Sequence, residues 1–322
     1  MRLATAILMV LLFPVVNRAQ EQRQPAEAAQ EQLPPAEPAR APRLENTGKP
    51  MHVEFQCSEE DMRHAGLACT ADRPCPIYLE LAAIEPVGAK LFVPGNIHTE
   101  SSTLYSVLLA SDDSGKTWYE PIERIRSAVL DRIQFLDFQA GWIGGQIVQA
   151  LPHDPFLLIT TDGGATWRRR PVNEESRIGA IEQFRFDSRD SGTLWLDRTQ
   201  SGEMEALYER YESMTGGESW MLREVSSRPI LEIGRRAPQS ATGWRLRPHA
   251  ASDSYRIEKR EGERWQPVAS FLISISDCRP PEKPLAEPSA EPEQPVGETP
   301  EAQPVPSPKQ PIKPPALDRK SQ

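Results

Sequence analysis

From about residue 77 to residue 276 the chain is built of short runs in which apolar and polar positions alternate, or in which apolar residues follow one another. Turns rich in glycine, aspartate and serine end these runs. A period of two predicts β-strands that bury one face. Residues 104–110 and 156–160 run into such turns, and the chain reverses after Trp118 and Trp167, so each pair of runs predicts a hairpin. Alternating stretches at 132–138, 180–187 and 230–234 add further strands ahead of the hairpins. Each unit then holds four strands, with units starting near Ile77, Ile133, Ile181 and Ile230. Units of about fifty residues that cannot bury their faces alone predict stacked blades, an all-β propeller of about four four-stranded blades. Residues 52–55 or the apolar run 271–276 are expected to help close the ring; a fifth irregular blade or an open arc remains the alternative.

The turns themselves repeat. Ser111, Asp113, Gly115, Thr117 and Trp118 form one box, and Thr160, Asp162, Gly164, Thr166 and Trp167 a second. Ser213, Thr215, Gly217, Ser219 and Trp220 keep most of the pattern, whereas the fourth copy keeps little beyond Gly262 and Trp265. An aspartate in a tight turn accepts bonds from the backbone N–H groups and hydroxyl that come after it, and glycine supplies a positive φ. Asp113 and Asp162 therefore read as structural. The flat tryptophan is expected to pack between units, with its N–H on a partner at the edge. A second aromatic ladder runs 21 to 26 residues ahead of the boxes through Phe92, Trp142, Trp195 and Trp244, which with the four box rings accounts for all seven tryptophans.

SerAspAspSerGlyLysThrTrp (111–118) and ThrThrAspGlyGlyAlaThrTrp (160–167) resemble the Asp-box, or bacterial neuraminidase repeat. With PheLeuAspPheGlnAlaGlyTrpIleGlyGly (135–145), the chain is similar to the photosystem II assembly-factor type of propeller over roughly residues 77–270. The resemblance implies the propeller fold. It does not carry one function, because the repeat serves sialidases, sortilin-like receptors and assembly factors alike.

Composition divides the 322 residues sharply. Residues 20–50 hold six prolines and 279–322 hold thirteen, and both flanks are expected to be disordered or extended, leaving 51–278 as the propeller domain. That domain carries 34 acidic and 25 basic residues, a net −9, the opposite sign from a duplex nucleic-acid binder. Residues 1–19 place one positive charge before an apolar run too short to span a bilayer, and read as a signal peptide cleaved after Ala19. Asn17, where a small residue is usual, leaves an uncleaved anchor as the alternative. An exported chain, periplasmic or extracellular, with four cysteines is expected to hold two disulfides. The favoured pairing is Cys69–Cys75, a small local loop, with Cys57–Cys278 tying the beginning of the ring to its end. Zinc is the lesser reading, because no closely spaced cysteine pair or suitably placed histidine accompanies them.

Catalytic signatures are scarce. The resemblance to sialidases implies an arginine before the first box, three substrate-binding arginines, and a tyrosine activated by glutamate. Here LeuPheValPro (91–94) has no arginine, and Tyr208 and Tyr211 adjoin Glu209 and Glu212, with neighbouring side chains pointing to opposite faces of a strand. The expected protein is not an enzyme and needs no cofactor or metal; His98, His153 and His249 read as turn histidines on one rim. The candidate site is cationic. Arg124, Arg126, Arg168, Arg170 and Arg177 are expected to gather on the face opposite the boxes and hold carboxylates of a protein or peptide partner, with membrane contact only through an envelope partner. The bland reading is that these charges only protect outer strands from edge pairing. A carbohydrate-binding or glycoside-active propeller is the competing function.

Overall fold

The computed structural model describes residues 43–202, 207–229 and 243–280. The signal-peptide and tail expectations, and the strand expected at 230–234, lie outside the described residues. An extended N-terminal stretch contains β1 (Leu44–Glu45) and leads to a short helix, α1 (Glu59–His64). Ser58 caps α1 reciprocally with Asp61: the Asp61 N–H donates to Ser58 Oγ (3.1 Å) and the Ser58 N–H to Asp61 Oδ2 (2.9 Å).

Blade 1 comes next, as β2 (Cys75–Leu81), β3 (Glu85–Val87), β4 (Lys90–His98), β5 (Thr103–Ser111) and β6 (Thr117–Trp118). Strands β2 and β3 pair with opposite ends of the same edge of β4 and together take the place of a single strand. Strand β5 covers the other edge, and β1 pairs with β6, ahead of the start expected for the domain. Blade 2 is a four-stranded antiparallel sheet of β7 (Ala128–Phe135), β8 (Gly141–Val148), β9 (Pro152–Thr160) and β10 (Arg168–Pro171). Blade 3 repeats it with β11 (Ala180–Phe186), β12 (Gly192–Asp197), β13 (Tyr208–Ser213) and β14 (Met221–Ser226). Blade 4 has three described strands, β15 (Trp244–His249), β16 (Ser254–Glu261) and β17 (Arg264–Leu272). From blade 4, β18 (Ser274–Cys278) crosses to blade 1 and pairs antiparallel with β2. The chain is thus an all-β, propeller-type fold.

Its core lies between the blades. Blade 4 meets blade 1 around Trp118, which is wholly buried and sits edge-on to Phe271 at 5.2 Å. Blade 1 meets blade 2 where Phe92 stacks on Phe135 at 4.9 Å, with Trp167 edge-on to both. Blade 2 meets blade 3 where Trp142 stacks on Phe186 at 3.8 Å beside Trp220. One ring from each ladder therefore interleaves at the latter two junctions. The spatial order is 4, 1, 2, 3, and among the described residues no hydrophobic cluster joins blade 3 to blade 4. The faces that these two blades turn away from their neighbours carry ion pairs instead: Arg210 and Arg223 on Glu212, and Arg245 and Arg247 on Glu258. Charged outer faces suit the ends of a stack.

The first two box turns are alike in detail. Asp113 Oδ1 accepts from Ser111 Oγ (2.9 Å) and from the N–H groups of Lys116 (3.0 Å) and Thr117 (2.9 Å), while Thr117 Oγ1 donates to Oδ2 (2.7 Å). Burial pushes this carboxyl up, but the Thr117, Ser111 and Lys116 donors outweigh it and hold the pKa at about 2. Asp162 makes the matching bonds with Thr160 and Thr166. The third turn keeps the geometry with a neutral oxygen, Ser219 N–H donating to Thr215 Oγ1 at 3.0 Å. Gly164 has φ +81° and faces Phe92 so closely that a Cβ would collide with the ring.

The fourth copy departs from the expectation. Gly262 and Glu263 form a plain two-residue connection between β16 and β17, and Trp265 lies under Arg245, 4.2 Å from its guanidinium, instead of between blades. Residues 260–264, ArgGluGlyGluArg, hold no aspartate or hydroxyl to build the turn. The expected N–H partners also differ: Trp118 Nε1 donates to Gly115 O (3.1 Å), whereas Trp167 and Trp220 Nε1 are buried without a partner.

Candidate functional site

Every box turn lies at one end of its blade, and the links 119–127 and 172–179 lie at the other. The Ser106 N–H donates to Ile125 O (2.9 Å) and the Asp154 N–H to Arg177 O (2.9 Å), which ties each link to the start of the third strand of a blade. These positions divide the five arginines, which do not form the single patch expected. Arg168 and Arg170 begin β10 directly after a box, so they stay at the box end, where both pair with Glu218 of the third turn. Arg177 is at the opposite end and forks onto Glu209. Arg124 chelates Glu120, and Arg126 lies 3.2 Å from Asp61. Each guanidinium already has a carboxylate within the fold, so cationic character alone does not define a site.

A cleft of about 610 Å³ opens beside two of these arginines, lined by His52, Glu54, Phe55, Gln56, Asp61, Tyr105 and Arg124. Its floor is rigid for identifiable reasons. Asp61, 5% exposed, accepts from Tyr105 Oη (2.6 Å) and from Ser58 Oγ (2.7 Å), and Arg126 closes the cluster. Burial raises the Asp61 carboxyl, yet the Tyr105 and Ser58 hydrogen bonds and the Arg126 charge bring it below the usual range. Burial, then the Asp61 bond, push the Tyr105 hydroxyl up to about 12, so it stays a proton donor throughout the neutral range. Above this base, the rings of Phe55 and Tyr105 lie 5.8 Å apart, Arg124 sits 5.8 Å over Phe55, and Arg126 5.3 Å over Tyr105. Arg124 spends Nε and Nη2 on Glu120 and on Glu54 O; its Nη1 makes no bond among the described residues. The cleft thus offers aromatic faces, the Arg124 Nη1 donors and a carboxylate rim.

The α1 cap escaped the sequence reading, although Ser58 with Asp61 three residues later is a helix-start signal. Residues 52–55, expected to help close the ring, form no strand and instead line a wall of the cleft, while β18 pairs with blade 1. The wall is held by the C-terminal strand: Cys57 is bonded to Cys278, and the His52 ring meets Ile275 O. The second disulfide joins Cys69 to Cys75.

A second polar cluster corrects the sequence reading of tyrosine and glutamate. Residues 209 and 211, two apart in β13, share a face, and Tyr211 Oη donates to Glu209 Oε2 at 2.7 Å. Arg177 and Arg198 hold the same carboxylate, which is 1% exposed, and Asn173 Nδ2 donates to Tyr211 Oη (3.0 Å). Burial and the Glu209 bond push the Tyr211 hydroxyl up to about 12, the reverse of an activated nucleophile. This cluster fastens the 172–179 link to blade 3. Of the three rim histidines, His98 contacts Thr99 O, His153 contacts Asp154 and His249 contacts Ser252. Among the described residues no group of three or more His, Cys, Asp or Glu is placed to hold a metal ion.

No family model and no curated protein matches the chain. Among solved structures it is similar to YCF48 bound to D1 peptide, at 15% identity over 60% of this chain and 56% of that one, with a TM-score of 0.33. It is also similar to the Penicillium chrysogenum α-L-arabinanase complexed with arabinobiose (13% identity, 62% of each chain, TM-score 0.31). A third similarity is to Zg3597, a family 117 glycoside hydrolase of Zobellia galactanivorans (8% identity, 69% of this chain and 75% of that one, TM-score 0.32). These are β-propeller proteins, and at such identities the likeness concerns the fold alone.

Proposed function

We propose that this chain is an exported, non-catalytic Asp-box propeller that binds a protein or peptide partner in the Phe55–Tyr105–Arg124 cleft, as an assembly or scaffold factor of an envelope complex. The observation that carries the reading is the cleft's construction: an aromatic pair and a partly free guanidinium stand on a hydrogen-bonded Asp61–Tyr105 base backed by Arg126. Such pre-ordered aromatic and arginine groups are the usual anchors of polypeptide recognition. Two disulfides suit an oxidising compartment. Capture from the protein's own envelope fraction tests it. Phe55→Ala and Arg124→Gln should each reduce the captured partner at least tenfold, while Arg168→Gln at the box end leaves it unchanged. Equal capture by all three variants overturns the reading.

A carbohydrate-active reading has one observation in its favour. Asp131, at a bulge on the innermost strand of blade 2, is pushed up by burial against the pull of Arg132, and its Oδ1 is buried without a partner. Burial that favours the protonated form of a carboxyl is one way in which a general acid is tuned. Hydrolysis of an oligosaccharide that disappears in Asp131→Asn, with partner capture intact, would favour this reading over the first.

A further inference from the structure

Two successive irregularities in blade 2 bring an acid and an amide together. Between Leu130 and Arg132 the β7–β8 register slips, so Asp131 is the extra residue of a bulge; between Gly145 and Ile147 the β8–β9 register slips, so Gln146 faces no residue of β9. Bulges re-aim side chains. Gln146, only 6% exposed, directs its Nε2 at Asp131 Oδ2, 3.5 Å away. The other two oxygens, Asp131 Oδ1 and Gln146 Oε1, are buried and meet no donor among the described residues. A carboxyl and a carboxamide joined by one such bond need one hydrogen to make the second, because a protonated Oδ1 donates to Oε1. Blade 1 shows the ordinary alternative. Asn96 Nδ2 on β4 donates to Glu80 Oε2 on β2 at 3.1 Å, but Glu80 is exposed, so water serves its remaining lone pairs.

We infer that Asp131 holds a proton in the folded protein and donates it from Oδ1 to Gln146 Oε1, forming a pH-sensitive latch across the two bulges of blade 2. Burial, joined by the Glu182 charge on β11, raises this carboxyl above its ordinary value, and Arg132 and the Gln146 amide recover only part of the rise. Titratable groups on the other strands packed around β7 and β8 are engaged elsewhere: Glu85 with the Phe135 N–H, Lys90 with Gly163 O, His98 with Thr99 O, Tyr105 with Asp61, and His153 with Asp154. Loss of the proton sets a carboxylate oxygen against an amide oxygen and loosens β7 from β8. Arg132, the next residue, donates Nε to Ile181 O of blade 3 at 3.3 Å, so the change passes directly to the junction of blades 2 and 3. A proton held in this way is spent inside the blade and not offered to a substrate, unlike the proton of the carbohydrate-active reading. The folded chain binds it more tightly than the unfolded chain does. The stabilisation is therefore complete below the unfolded value and is lost as pH rises through the folded one.

The test is a carboxyl-carbon NMR titration of the full chain labelled with 13C-aspartate, the Asp131 signal being assigned by its absence in Asp131→Asn. Asp131 should stay protonated until the other aspartates have ionised. Gln146→Met removes the acceptor and should weaken proton binding at Asp131 about fivefold, the loss of one hydrogen bond. Ionisation together with the other aspartates overturns the inference. Proton binding that is unchanged or tighter in Gln146→Met also overturns it, since burial would then be the whole cause. Should Gln146→Met fail to fold, Asp131→Asn keeps the question open to measurement, because its amide donates to Gln146 Oε1 at any pH. The urea midpoint of the native chain should fall relative to that of Asp131→Asn as pH rises through the Asp131 titration, and a constant difference between the two contradicts the latch.

Discussion

Asp113 shows what one residue of this repeat does. Its carboxylate accepts four bonds from the turn it organises, which leaves little lone-pair capacity for a cation. Alanine at the matching Asp162 leaves turn donors unmet and should cost about 1 to 3 kcal/mol, read from denaturant midpoints with and without calcium. A loss that calcium reverses would contradict the structural role. The pH dependence arises from the same bonds. The folded pKa of Asp113 is depressed to about 2 from 3.8, so its contribution is present above the unfolded value and is lost as pH falls towards the folded one. Melting temperature should therefore drop more steeply over that range in the native chain than in Asp113→Asn. At this scale the sequence is readable because the turn's partners lie within four residues of one another. The Tyr211–Glu209 bond escapes a comparison of adjacent residues, because it is residues two apart that share a strand face.

The elements are held by rings that interleave between blades. Removing Trp142, stacked on Phe186 and bonded to Gly216 O, should cost about 3 to 5 kcal/mol. Trp265→Ala should cost only about 1 kcal/mol, because that ring loses an arginine contact at a blade surface. Equal losses in urea unfolding would restore the fourth box to the structural ladder. The ladders are legible from their spacing alone. The grouping of the arginines is not: Arg168 directly succeeds its box and stays at the box end, while Arg124 and Arg177, farther along, reach the other. Pairing of Arg168 with Glu218 and of Arg177 with Glu209 is a matter of blade-to-blade geometry that no local pattern encodes, whereas Arg124 meets Glu120 only four positions away.

For the whole molecule, the decisive connection is between the ends of the described chain. The Cys57–Cys278 bond spans 221 positions, and in the chain-entropy model closing such a loop contributes about 5 kcal/mol, against about 2 kcal/mol for Cys69–Cys75. Cys57→Ser with Cys278→Ser should therefore lower stability well beyond the Cys69→Ser, Cys75→Ser pair; the reverse order would place the closure elsewhere. The same connection shapes the cleft, since β18 holds the 52–56 segment that forms its wall. The cleft's position opposite the box turns makes a spatial prediction that the envelope fraction can check. Proteins carrying p-benzoylphenylalanine at Phe55, or at Phe138, a 74% exposed ring beside the second box, are irradiated in that fraction. A discrete foreign polypeptide should become attached at position 55 and none at 138; attachment at 138 alone, or equally at both, would contradict a binding cleft at the end away from the boxes.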